Sequence, residues 1–133
     1  MPKQEKELLL VDLCARLPYG ITVSVTDGTI KYNAYIESVS YKNIQVSPVS
    51  DSNFTPYTFY KISEIKPYLR PMSSMTEDER EKCNGSIICY NEFEGNSTLF
   101  DTEGLDYLNK NMFDYRGLIE KGLALEAPEG MYN

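Results

Sequence analysis

The chain of 133 residues has no histidine and no tryptophan. Without imidazole, Ser-His and Cys-His nucleophile pairs and histidine-ligated metals are excluded together, and acid–base work is left to carboxylates, lysine or tyrosine. Cys14, Cys83 and Cys89 are too few for a four-thiolate zinc site and lack CxxC spacing; they read as thiols of a reducing compartment. Positive charge is scarce. The 13 Lys and Arg against 20 Asp and Glu give a formal charge of -7, and the basic residues are scattered along the chain. Such a chain is repelled by phosphate backbones, so nucleic acid is not an expected partner. No apolar run approaches the roughly 20 residues of a membrane span, and the short run 8–11 is flanked by acids, unlike a signal peptide. Neither GxxxxGK nor GxGxxG occurs.

What is present is ordinary for a globular protein: 41% apolar and 25% charged residues, with eleven tyrosines among the aromatics. A chain this long buries enough surface for one core, so residues 1–133 are expected to form a single domain. Residues 4–16 have helical spacing, with Leu9, Leu13 and Leu17 on one face and Leu10 and Cys14 beside them. Asp12 and Arg16 form an i,i+4 pair expected on the polar side, and Pro18 and Gly20 end the helix. The period then changes to two. Ile21, Val23 and Val25 alternate with polar residues, Asp27-Gly28 makes a hairpin turn, and Ile30, Tyr32, Ala34 and Ile36 line one face of the return strand. A turn at 41–43, a third strand through Ile44 and Val46, a loop at 47–56 and a fourth strand at 57–62 follow. Residues 63–68, limited by Pro67 and Pro71, read as a single 3₁₀ turn. Short strands in meander order ending in such a turn suggest a small antiparallel SH3-like barrel.

Beyond Pro71 the composition shifts. Thr76 and Glu79 have capping-box spacing and start a short polar helix. Residues 87–90 form a strand and 91–101 a loop. Residues 102–112 form a helix with Leu105, Leu108 and Met112 on one side, and Asp114 caps a last helix through Lys121, with Gly122 at C′. The expected fold is therefore α+β: an N-terminal helix and barrel-like sheet in 1–72, then a mainly helical extension in 73–133.

Three segments, ELLLVDLCARLPYG (7–20), IKPYLRPMSSMTEDE (65–79) and LNKNMFDYRGLIEKGLALEAP (108–128), carry a resemblance. They resemble a family of small uncharacterised proteins from gut Bacteroidales genomes, their phages and other mobile elements. The resemblance implies a bacterial or phage origin, the cytoplasm of a bacterial host cell and an accessory role. It brings no activity and no site residues.

The candidate binding residues come from the sequence itself. Tyr57, Phe59, Tyr60 and Tyr68, with Tyr32, Tyr35 and Tyr41, make the strands tyrosine-rich, and SH3-like barrels bind peptides in aromatic-lined grooves. Against this, tyrosine is a good strand former, and alternation sends neighbouring side chains to opposite faces. Tyr115 and Arg116 pair a stacking ring with a bidentate donor, and Arg70 adds a second guanidinium. The plainer reading is that Asp114 caps the last helix, Arg116 pairs with a carboxylate and Gly117 permits close helix packing. The carboxylates at Glu77, Asp78, Glu79 and Glu81 read as a solvated first helical turn, not a metal site. No catalytic residue, metal ligand or cofactor is expected. The function this predicts is non-enzymatic: an accessory protein that binds a protein partner. The alternatives are a small-molecule binder, such as one sequestering a nucleotide signal, and a virion structural protein. Homo-oligomer formation stays open.

Overall fold

The computed structural model describes residues 1–28, 30–40, 42–49, 58–84, 87–90, 97–100 and 102–132. Helix α1 (Lys3–Arg16) forms where the leucine period demanded, and buries Leu9 and Leu13 completely while Leu17 packs at the margin of the same core. A 3₁₀ turn at Leu17–Tyr19 ends on Gly20, whose φ of 77° lies in the left-handed region that glycine enters without penalty. The hairpin follows as β1 (Thr22–Asp27) and β2 (Ile30–Val39), in register from Thr22 opposite Tyr35 to Asp27 opposite Ile30. Strands β3 (Ile44–Pro48) and β4 (Thr58–Tyr60) extend the meander, with a register irregularity between Ile36 and Ser38.

The chain then departs from expectation. The 3₁₀ turn is confined to Ile62–Glu64, and Ile65–Leu69 is a strand, β5, antiparallel to β1. Its side chains alternate, with Ile65, Pro67 and Leu69 buried. Pro67 lacks an N–H, yet a strand near the sheet margin tolerates it: β8 (Leu125–Glu126) adds only a two-residue parallel ladder to β5, beginning at Tyr68. The sheet order is β4-β3-β2-β1-β5-β8, and it is an open six-stranded sheet, not a closed SH3-like barrel. The meander pattern alone does not distinguish the two, because closure depends on strand pairing that periodicity does not encode.

One face of the sheet and helix α1 share the main core, in which Leu9 and Leu13 meet Val23, Val25, Ile36, Ile44 and Ile65. This is the usual way an amphipathic helix and a half-buried sheet satisfy each other. The opposite face carries Tyr35 and Phe59, exposed, among polar residues.

The C-terminal part is mixed, not mainly helical. It contains α2 (Glu77–Asn84), a hairpin of β6 (Ile87–Tyr90) and β7 (Ser97–Phe100), and α3 (Thr102–Lys110). The expected loop at 91–101 thus contains β7; residues 91–96 lie outside the described part. The last helix expected from Asp114 to Lys121 is replaced by turns. Its end signals survive: Asp114 Oδ1 and Oδ2 accept the Leu118 and Ile119 N–H groups at 2.8 and 2.9 Å, and Gly122 (φ 75°) closes a Schellman-type turn in which Leu123 N–H reaches Leu118 O. A cap at each end with a single turn between them leaves no room for the helix the caps announce. A second cluster, Cys83, Leu108 and Phe113, lies under Met72, Met75 and Tyr115.

Candidate ligand-binding site

The candidate residues read from the sequence are divided among several places. Phe59 is 61% exposed on the outer face of β4, while the next residue, Tyr60, turns inward to 7% exposure with its hydroxyl 2.7 Å from that of Tyr32. Tyr57 and Tyr41 lie outside the described residues. Tyr68 donates to Asn33 Oδ1 at 2.9 Å across the outer face.

Both arginines are engaged. Arg70 donates through Nη1 and Nη2 to the two Glu79 carboxylate oxygens at 2.7 Å each, and its guanidinium stacks over the Phe113 ring, 4.2 Å from the centroid. This clamp sits on a backbone bridge, since Arg70 N–H donates to Met112 O and Arg70 O accepts from Asp114 N–H. The Arg70 hydrogen bonds, with the Thr76 N–H at 3.0 Å, hold the Glu79 pKa down at about 2 against the opposing effect of burial. Arg116 donates to Asp12 Oδ1 at 2.9 Å and to the Tyr115 hydroxyl at 2.6 Å, and lies over the Tyr115 ring. Tyr115 passes a hydrogen bond on to Asn109. Arg116 thus pairs with a carboxylate as expected, while Asp114 caps a turn in place of the expected helix.

Asp12 and Arg16, expected on the polar side of α1, are both fully buried, which corrects that placement. The pair itself forms, but it points inward, because Arg16 also donates to Phe113 O at 2.7 Å and so ties α1 to the C-terminal turns.

A different group of cations surrounds a cavity of about 390 Å³. Helix α1 contributes Lys3, Lys6, Glu7 and Leu10; the β2–β3 turn contributes Ser40, Lys42 and Asn43, and the start of β3 Ile44; and Lys61, which precedes the 3₁₀ turn after β4, joins Ile62 and Ser63 of that turn. Four lysines against one glutamate leave an excess of three positive charges in a chain whose net charge is -7. Among the described residues the ion pairs are Asp12–Arg16, Asp12–Arg116 and Arg70–Glu79, and none involves these lysines. Lys3 and Lys6 stand in the first turn of α1, where the helix dipole is positive and cations are disfavoured, so the dipole adds to their field. The turn geometry is fixed locally. Ser40 and Asn43 bond each other through backbone and hydroxyl, and Glu64 accepts the Lys61 N–H at 3.0 Å. Leu10, Ile44 and Ile62 give the cavity an aliphatic lining.

Lys42 and Lys61 lie far from Lys3 and Lys6 in the chain, so no local pattern brings the four lysines together. The one local signal was Lys3–Lys6, a one-turn pair of like charges at a helix start. A second cavity, of about 680 Å³, is bordered by Glu126 and Glu129, and its arginine, Arg70, is already neutralised by Glu79.

Fold and cavity together describe a mixed α+β protein whose open sheet carries one helix on its inner face and a lysine-rimmed pocket at one end. No family model, no curated protein and no solved structure matches the chain. Among the described residues no helix is long and apolar enough to cross a membrane.

Proposed function

We propose that the protein is a non-enzymatic binding protein, an accessory factor of bacterial or phage origin, and that it takes a negatively charged ligand in the lysine-rimmed pocket. One observation carries this reading: Lys3, Lys6, Lys42 and Lys61 converge on one cavity without carboxylate partners among the described ion pairs, in a protein that is otherwise acidic. Unpaired like charges repel one another, so gathering them costs stability unless a ligand neutralises them.

The test is thermal unfolding with inorganic phosphate, ATP and polyglutamate, on the native chain and on Lys42→Glu/Lys61→Glu. At least one anion should raise Tm at low salt, should be recovered chemically unchanged, and should lose its effect in the double variant. An equal response of both chains to every anion, or turnover of the bound ligand, would overturn the proposal.

A further inference from the structure

We infer that the ligand of this pocket is an acidic stretch of a partner protein that carries an aliphatic side chain among its carboxylates. This rests on the reading of the pocket as an anion site. The four lysines come from three separate parts of the chain, α1, the β2–β3 turn and the residue that enters the 3₁₀ turn after β4, so no single segment supplies the positive charge. Four flexible cations drawn from separate segments can meet several carboxylates along a chain as readily as one compact anion. Phosphate sites commonly add converging backbone N–H groups or the planar fork of arginine to any lysine they use. Here the cations are lysines, which are flexible point charges on long stems, and the Ser40 hydroxyl and the Ser40 and Asn43 backbone N–H groups of the turn are spent on each other.

The lining supplies the second half of the recognition. Leu10 and Ile62 are only partly buried, and the buried Ile44 lines the same cavity. A purely polar anion would leave this surface unused. A leucine or isoleucine between two acids would cover it while its neighbours reached the lysines. Apolar anchors at the centre and charges at the rim are the ordinary anatomy of a protein-recognition site.

The experiment is fluorescence anisotropy at low salt with a short labelled peptide of alternating glutamate and leucine. A glutamate–serine peptide of equal charge serves as control, and inorganic phosphate and ATP as competitors. The glutamate–leucine peptide should bind, and the serine peptide should bind more weakly by about tenfold, the loss expected for one buried aliphatic anchor. Lys42→Glu/Lys61→Glu should weaken both peptides on the order of tenfold. Leu10→Ser should bring the leucine peptide down to the level of the serine peptide and leave the latter unchanged. Equal binding of the two peptides would overturn the inference. So would lysine-dependent binding of phosphate or ATP without peptide binding, an outcome that leaves the anion site standing. Lysine-dependent self-association in light scattering would assign the pocket to a second copy of this chain and would also overturn it. If neither peptide nor small anion binds, the inference and the proposed function fail together.

Discussion

The Asp12 carboxylate and the Arg16 guanidinium meet one helical turn apart inside the protein, at 2.9 and 3.0 Å, with neither side chain exposed. Asp12 also accepts from Arg116, so one carboxylate answers two guanidinium groups, and Arg16 Nη1 has no hydrogen-bond partner among the described residues. Such a cluster is costly to bury but more costly to break. Asp12→Ala is expected to destabilise the fold by about 3–5 kcal/mol, because it strands a buried cation. Asp12→Leu/Arg16→Met should recover much of that loss by replacing both charges with apolar volume. Urea unfolding of both variants checks this. A single variant as stable as the native chain would show that the pair is solvated.

The Glu79–Arg70 clamp gives the protein an acid-sensitive contact. The Glu79 pKa in the folded chain is about 2, below the ordinary 4.5, so its contribution is complete above pH 4.5 and is lost as pH falls toward 2. With side chains still 18–24% exposed, solvent screening reduces the contribution to about 1 kcal/mol. Glu79→Gln is expected to lower stability at pH 7 and to flatten the stability profile between pH 5 and 2. Chemical denaturation across that range reads both effects.

Tyr132 acts at the other end of the pH scale. Its hydroxyl donates to Tyr68 O at 2.7 Å and accepts the Thr22 N–H at 3.2 Å, and burial pushes its pKa up to about 12. Because the folded value lies above the ordinary 10.0, this contribution is present below pH 10 and is lost as pH rises toward 12. Tyr132→Phe removes the hydrogen bonds and should cost about 1–2 kcal/mol near neutral pH, while making alkaline unfolding less steep. Unfolding curves at pH 7 and pH 11 test it.

Gly122 marks the turn that stands in place of the expected last helix. Its φ is +75°, and a Cβ there would meet nothing within 4 Å, so the cost of a side chain is conformational alone. Gly122→Ala should destabilise by about 1 kcal/mol, and Gly122→Asn by less, since asparagine enters the left-handed region more readily. Thermal unfolding of the two variants gives the order.

Much of the N-terminal half could be read directly. The helix through Leu9 and Leu13, the Asp27-Gly28 hairpin and the alternation of Ile44 and Val46 all formed where the pattern placed them, since each depends on neighbours close in sequence. The capping box at Thr76 and Glu79 formed with both hydrogen bonds. Strand β5 was obscured by Pro67, a residue that argues against a strand until its place near the sheet margin is known. The candidate site was not legible. Phe59 and Tyr60 were placed together by sequence and parted by strand alternation, and Arg70 and Arg116 proved to be tied to Glu79 and Asp12.

By itself the amino-acid order determined the helix, the meander and the caps, because periodicity and turn chemistry act over a few residues. Only the tertiary structure decided that the sheet stays open, that Asp12 and Arg16 face inward, and that Lys3, Lys6, Lys42 and Lys61 surround one cavity. Those outcomes follow from contacts between segments far apart in the chain. Coulombic attraction, repulsion and burial depend on distance in space, which local sequence pattern does not specify.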